Sequence, residues 1–233
     1  MRSGLTLALG ALIASCVPTT SGTLGPSAGS PIARPGLRYV ALGDSYTIGT
    51  SVSVAERWPN QLVAALGPTP PSLSLVANLA VNGYTTGDVI ADELPLLDGL
   101  RPEFASLLIG VNDIIQGVSE DEYRRNLERI LDDLASRAGA NRIVVVTTPD
   151  YTVTPAGADY GDPATVSAAI RRYNSMIEDV ASARGVAVVD IYDLSLGAGT
   201  DRTLVARDGL HPSGAQYARW VDRITSVVRA LLR

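Results

Sequence analysis

From Leu37 onward, short apolar runs alternate with longer segments of helical period, and this alternation constrains the fold more than any other feature of the chain. Strand, helix and parallel strand form a unit that buries both faces of a sheet, so the pattern predicts a three-layer α/β domain. The strand candidates are Leu37 to Leu42, Leu73 to Leu79, Ala105 to Ile109, Arg142 to Thr148 and Val186 to Ile191. Ile143 to Val146 is apolar throughout, as strands covered on both sides are. The clearest helix starts at Ser119, whose hydroxyl can cap while Glu122 reaches back. It carries Tyr123, Leu127, Ile130, Leu131 and Leu134 on one stripe and stops at Gly139. Further helices are expected over Pro163 to Arg184 and Ser213 to Leu232, the latter burying Trp220, Ile224, Val227, Val228 and Leu231. Shorter ones are expected over Pro59 to Leu66 and Gly87 to Leu97. The stretch from Asp150 to Ala164 has neither period, and a loop of that length usually covers a site.

Ahead of this pattern lies a segment of different character. Met1-Arg2 and the apolar stretch Leu5 to Ala14 have the layout of a secretory signal and are too short to span a bilayer. The segment ends Ile13-Ala14-Ser15-Cys16, which resembles the lipobox where a bacterial signal peptidase cuts and the cysteine becomes lipid-modified. Val17 to Pro35 is rich in Ser, Thr, Gly and Pro, a composition that suits a flexible tether. The expected organisation is a signal peptide over 1–15, a lipidated Cys16 with its linker over 16–36, and a folded domain over 37–233. An exported protein attached to the membrane through Cys16, or secreted if that residue is not modified, follows from this reading.

Composition removes several function classes. All 19 basic residues are Arg, so a P-loop, a Schiff-base enzyme and a Ser-x-x-Lys hydrolase each lack an essential lysine. With one Cys and one His, neither an internal disulfide nor a structural zinc site of several Cys and His can form. A net charge of -5 with scattered arginines offers no basic stripe, so nucleic acid is not an expected partner.

In open α/β sheets ligands bind at the carboxyl ends of the strands. The polar residues after the strand candidates are Gly43-Asp44-Ser45, Asn78 to Gly83, Gly110-Val111-Asn112-Asp113 and, later, Asp208-Gly209-Leu210-His211. Serine is a weak nucleophile until a base takes its proton, and the base needs a partner to fix its tautomer. His211 is the only histidine available, and Asp208, three residues earlier, can reach it through a turn. Asp190, Asp193 and Asp201 are rival carboxylates. Donors for an oxyanion are at hand in the backbone N–H of Ser45, the backbone N–H of Gly83 and the side-chain amide of Asn112. Asp44 and Asp113 read as structural, bonding the loops that hold their neighbours, and Tyr151 and Tyr160 as lining of the pocket at this edge.

These residues resemble the SGNH hydrolases, also called GDSL-type esterases and lipases. Gly43-Asp44-Ser45, Asn78-x-Ala80-x-x-Gly83, Gly110-x-Asn112-Asp113 and Asp208-x-x-His211 are similar to that family's four blocks and occur in its order. Tyr46 stands where the family's name has Leu. The resemblance implies a flavodoxin-like α/β/α fold with a central parallel sheet of about five strands. It also implies Ser45 as nucleophile, His211 as base, Asp208 as its partner, and Ser45, Gly83 and Asn112 as the oxyanion hole. The activity expected is that of an exported serine esterase working without metal or organic cofactor on a lipid or simple acyl ester. A carbohydrate O-deacetylase acting on cell-wall glycans and a non-catalytic surface-binding lipoprotein are the alternatives.

Overall fold

Successive side chains of a strand point to opposite faces, and the central strands of this chain are apolar on both. The computed structural model describes residues 36–233; the signal segment, Cys16 and the tether up to residue 35 lie outside the described residues. The strands are β1 (Leu37–Gly43), β2 (Leu73–Asn78), β3 (Phe104–Leu108), β4 (Ile143–Val146) and β5 (Ala187–Val189). They form one parallel sheet in the order β2-β1-β3-β4-β5, the order of flavodoxin-like doubly wound folds. The helices are α1 (Ser45–Ile48), α2 (Trp58–Leu66), α3 (Thr86–Asp88), α4 (Leu97–Leu100), α5 (Val111–Gln116), α6 (Glu120–Ala138), α7 (Pro163–Ser182), α8 (Tyr192–Ser195) and α9 (Gly214–Leu231).

Each face of the sheet builds its own core. Tyr39, Ala41, Phe104, Leu108, Val144 and Val146 meet Trp58 and Leu62 of α2 and Tyr217, Trp220, Ile224 and Val228 of α9. Val40, Leu42, Ala105, Leu107, Ile143 and Val145 meet the expected stripe of α6 and Met176, Ile177 and Val180 of α7. Three layers result, as expected. Among the described residues no helix is long and apolar enough to cross a membrane.

Several local expectations are corrected. Ser119 caps α6 by accepting from the Glu122 amide at 3.2 Å, but the glutamate side chain makes no return bond among the described residues. The helix expected over Gly87 to Leu97 changes type along its length: α3 passes into a π turn over Val89–Glu93, a 3-10 turn over Leu94–Leu96 and then α4. Pro95 explains this, since it has no N–H to donate and its ring pushes the preceding turn open. On α9 the buried stripe begins a turn earlier than expected, at Tyr217, while Val227 and Leu231 are only partly buried. Strands β4 and β5 end before Thr148 and Ile191. Beyond Val146 a side chain takes over from the ladder: Thr147 Oγ1 donates to Asp190 Oδ1 at 2.8 Å and accepts from the Ile191 amide at 2.9 Å.

At the carboxyl end of β1 the chain passes unusually close to β3. Gly43 has φ +142°, and a Cβ there would stand 2.1 Å from the Leu108 carbonyl oxygen. Gly43→Ala should therefore cost about 2 kcal/mol or more through backbone strain and separation of the two strands, measured by urea denaturation.

Candidate active site

The strand order reverses between β1 and β3, and residues that follow these two strands face one crevice. After β1 the chain turns sharply into α1. Asp44 caps that helix, its Oδ1 accepting from the Tyr46 amide at 2.9 Å, so that Ser45 becomes the first helical residue. After β3, Gly110 (φ +134°) opens α5 and delivers Asn112 and Asp113. Both Asp113 oxygens accept from Thr86, whose hydroxyl is 2.5 Å from Oδ1, and this ties α5 to the start of α3. After β2, Asn78 donates to the Thr47 carbonyl at 2.8 Å and links that strand end to α1. Asp44 and Asp113 thus hold the loops, in keeping with their structural reading.

The fourth block sits in a turn just ahead of α9. Asp208 Oδ1 accepts from the amides of Leu210 and His211 at 2.9 and 3.0 Å, and Oδ2 lies 2.7 Å from His211 Nδ1. The three-residue spacing allows one carboxylate to close the turn and hold the imidazole together. A further bond comes from Ser51, whose hydroxyl donates to Asp208 Oδ2 at 2.6 Å. Burial alone would raise the Asp208 carboxyl, but the bonds from Ser51, the two amides and the imidazole bring it down to about 2. The rival carboxylates are engaged elsewhere: Asp190 with Thr147, Asp193 with Arg223 and Asp201 with Thr203 and Arg219.

Ser45, Gly83, Asn112 and His211 come together on a cavity of about 240 Å³, with Asp208 behind the imidazole. Among the described residues no hydrogen bond joins Ser45 Oγ to His211; such bonds are often long without substrate. The backbone N–H groups of Ser45 and Gly83 donate to no other group among the described residues. Asn112 gives one amide hydrogen to the Tyr84 carbonyl at 2.9 Å and keeps the other, and Gln116 holds the Gly83 carbonyl at 2.9 Å. The remaining wall is mostly apolar: Val111 and Ile115 from α5, Tyr151 and Tyr160 from the long loop, and Leu210. That loop is clamped at its start, where Asp150 accepts from Ser167 of α7 at 2.5 Å and from Tyr192 at 2.9 Å. Its far end carries Tyr160, 44% exposed.

Comparison with known proteins gives the family. The GDSL-like lipase/acylhydrolase family matches residues 41–219, well over half of the chain. The chain belongs to this family. This family member is 28% identical over 116 residues to an arylesterase of Vibrio mimicus, a match covering 49% of this chain and 57% of that protein, so under two thirds of the relative's length is spanned. Solved structures share the fold. The structure of TesA superposes with a TM-score of 0.67 at 19% identity, covering 84% of this chain and 99% of that one. A lipase/acylhydrolase from Enterococcus faecalis gives 0.65 at 23% identity, covering 84% and 98%. The acetylxylan esterase Axe2 of Geobacillus stearothermophilus gives 0.63 at 18% identity, covering 86% and 95%.

The parts that two residues play at this site were not visible in the sequence. Ser51 lies far along the chain from Asp208 and adopts φ +67°, rare for a non-glycine residue, in order to reach it. Tyr46, the residue that departs from the family's name, packs its ring 5.5 Å from that of His211, centroid to centroid, and 6.4 Å from Trp220. A leucine would leave the imidazole with less of a wall.

Asp208→Asn should keep the turn but lose the charge behind the imidazole, lowering kcat by on the order of 10⁴-fold with little change in KM. Ser51→Ala should cost far less, since three bonds to Asp208 remain. Because the folded carboxyl is depressed, its bonds contribute stability fully above the ordinary aspartate range and lose it as pH falls toward about 2, a slope that thermal melts of wild type and Asp208→Asn against pH should resolve.

Proposed function

We propose that this hydrolase is an exported serine esterase that cleaves short acyl esters through an acyl-enzyme on Ser45. The observation that carries the reading is the position of His211, with Nδ1 on Asp208 at 2.7 Å and its ring on the cavity shared with Ser45. In the proposed cycle His211 Nε2 takes the Ser45 proton as Oγ attacks the ester carbonyl. Asp208 steadies the imidazolium while the Ser45 and Gly83 N–H groups and the free Asn112 hydrogen receive the oxyanion. The imidazolium returns the proton to the leaving alcohol, the acyl group stays on Oγ, and a water activated by His211 then releases the acid.

Cavity size argues for a short acyl group. At about 240 Å³ it is smaller than the roughly 300–1,000 Å³ of pockets that enclose drug-sized ligands, and a long chain would run out over Ile115 and Tyr160 at the rim. The lipidation reading also stands as part of the proposal, supported by Ile13-Ala14-Ser15-Cys16 at the end of an apolar leader.

Hydrolysis of p-nitrophenyl esters from acetyl to palmitoyl tests the enzymatic reading. Activity is expected to peak at short chains and to fall by at least about 10³-fold in Ser45→Ala and His211→Ala, with fluorophosphonate labelling lost in Ser45→Ala. Activity confined to acetyl would favour removal of O-acetyl groups from a glycan; a folded, unlabelled and inert protein would favour a binding role. For the anchor, expression of the full chain in bacteria fed radiolabelled palmitate should give a labelled, membrane-bound protein that Cys16→Ser abolishes; label retained in that variant would exclude Cys16 as the attachment point.

A further inference from the structure

Glu93 occupies a place where a glutamate needs explaining. It closes the π turn Val89–Glu93, is 1% exposed and lies against the turn that leads to Ser45. Its Oε2 accepts from the Gly43 amide at 3.1 Å, and its Oε1 has no hydrogen-bond partner among the described residues. Asp44 repeats the arrangement. It is fully buried, its Oδ1 holds the Tyr46 amide, and its Oδ2 is likewise unpartnered. Amides on both sides of Ser45 are thus held by buried acids, each with one oxygen left over.

The surroundings decide the charge state. The groups that act on Glu93 are Asp44 from the nucleophile turn and Asp92 and Asp88 from its own helical segment, while Asp113 of α5 acts on Asp44; all are acidic. Burial pushes Glu93 up to about 8 against the lowering effect of the Gly43 bond, with the like charges adding a smaller rise, and burial likewise carries Asp44 to about 8. A neutral carboxyl still accepts a backbone N–H through its carbonyl oxygen, so the bond to the Gly43 amide survives protonation.

We propose that Glu93 is a positioning residue for the nucleophile: from its buried place beside the turn it fixes the Gly43 amide and with it the direction in which Ser45 leaves the sheet. The inference rests on Ser45 being the nucleophile. A pure packing role is distinct, because a hydrocarbon of similar size would fill the space and strand a buried N–H. The pH dependence has a definite sign. With the folded carboxyl raised, the folded chain holds more protons than the unfolded one between the ordinary glutamate range and about 8, so stability declines as pH rises through that window. Ionisation also puts charge into the turn, where Asp44 loses its own proton over the same range, so kcat falls on the alkaline side.

Glu93→Gln and Glu93→Leu separate the possibilities, assayed with p-nitrophenyl acetate from roughly pH 6 to 10 and melted over the same range. Gln keeps the acceptor and cannot ionise. It should retain kcat within about twofold at neutral pH, carry its activity further into alkali and melt higher than wild type there. Leu should lower kcat by on the order of 10- to 100-fold with KM little changed, as for a nucleophile turned off its line of attack. A folded Leu variant with wild-type kcat overturns the proposal, and so does a Gln variant whose activity and melting follow wild type at every pH; if Leu does not fold, the Gln profiles decide alone. Ser45→Ala run alongside distinguishes the two levels. If it stays active, the nucleophile assignment falls and the positioning role falls with it; if it is inactive while both Glu93 variants match wild type, only the positioning role falls.

Discussion

A sheet covered on both faces has no solvent-facing side, and this one constraint governs where chemistry can occur. Every residue of β1 from Tyr39 to Leu42 and every residue of β3 is buried, so polar groups along the strands are confined to exceptions such as Ser106, which is bonded to the Tyr39 hydroxyl at 2.7 Å. Functional groups are displaced to the edge where the strands give way to helices. Parallel pairing sends all five carboxyl ends to that same edge, and the reversal of order between β1 and β3 opens a crevice there. Residues separated by more than 160 positions, Ser45 and His211, meet because the sheet leaves them nowhere else to go.

The edge is made rigid by polar links between loops rather than by further apolar burial. Asn78 ties the end of β2 to α1, Thr86 and Asp113 tie α3 to α5, and Ser51 ties the segment after α1 to Asp208. Each link joins two different strand exits. The loops are therefore held in an open chain of short bonds, from the Asp208 turn through the exits of β1 and β2 to that of β3, whose members are mostly small polar residues.

The layers and the residues gathered at the edge were legible because they depend on periodicity and on short motifs with fixed spacing, while the flavodoxin-like arrangement came from the family resemblance alone. Asp208 and His211 were readable as a pair since three residues is the span of the turn that joins them. What was hidden depends on tertiary approach. Ser51 reaches Asp208 only after the sheet forms, Glu93 looks in sequence like one more surface acid beside Asp92, and the short helices α1, α5 and α8 contain too few residues to show a period. The mixed helix across Pro95 was misread for another reason: the proline was visible, but its effect depended on whether the preceding turn had room to widen.

The long loop brings its two tyrosines to the cavity with unequal freedom. Tyr151 is buried directly beside the Asp150 clamp, whereas Tyr160 stands at the exposed far end, with the two rings edge to face at 6.0 Å. The cavity accordingly has one fixed jaw and one adjustable jaw. Changes at the outer jaw can widen or narrow the opening while the inner one keeps its place, so the width of the mouth can vary through a position that the fold does not need. The geometry of the floor and the breadth of the entrance are, in this architecture, separately heritable.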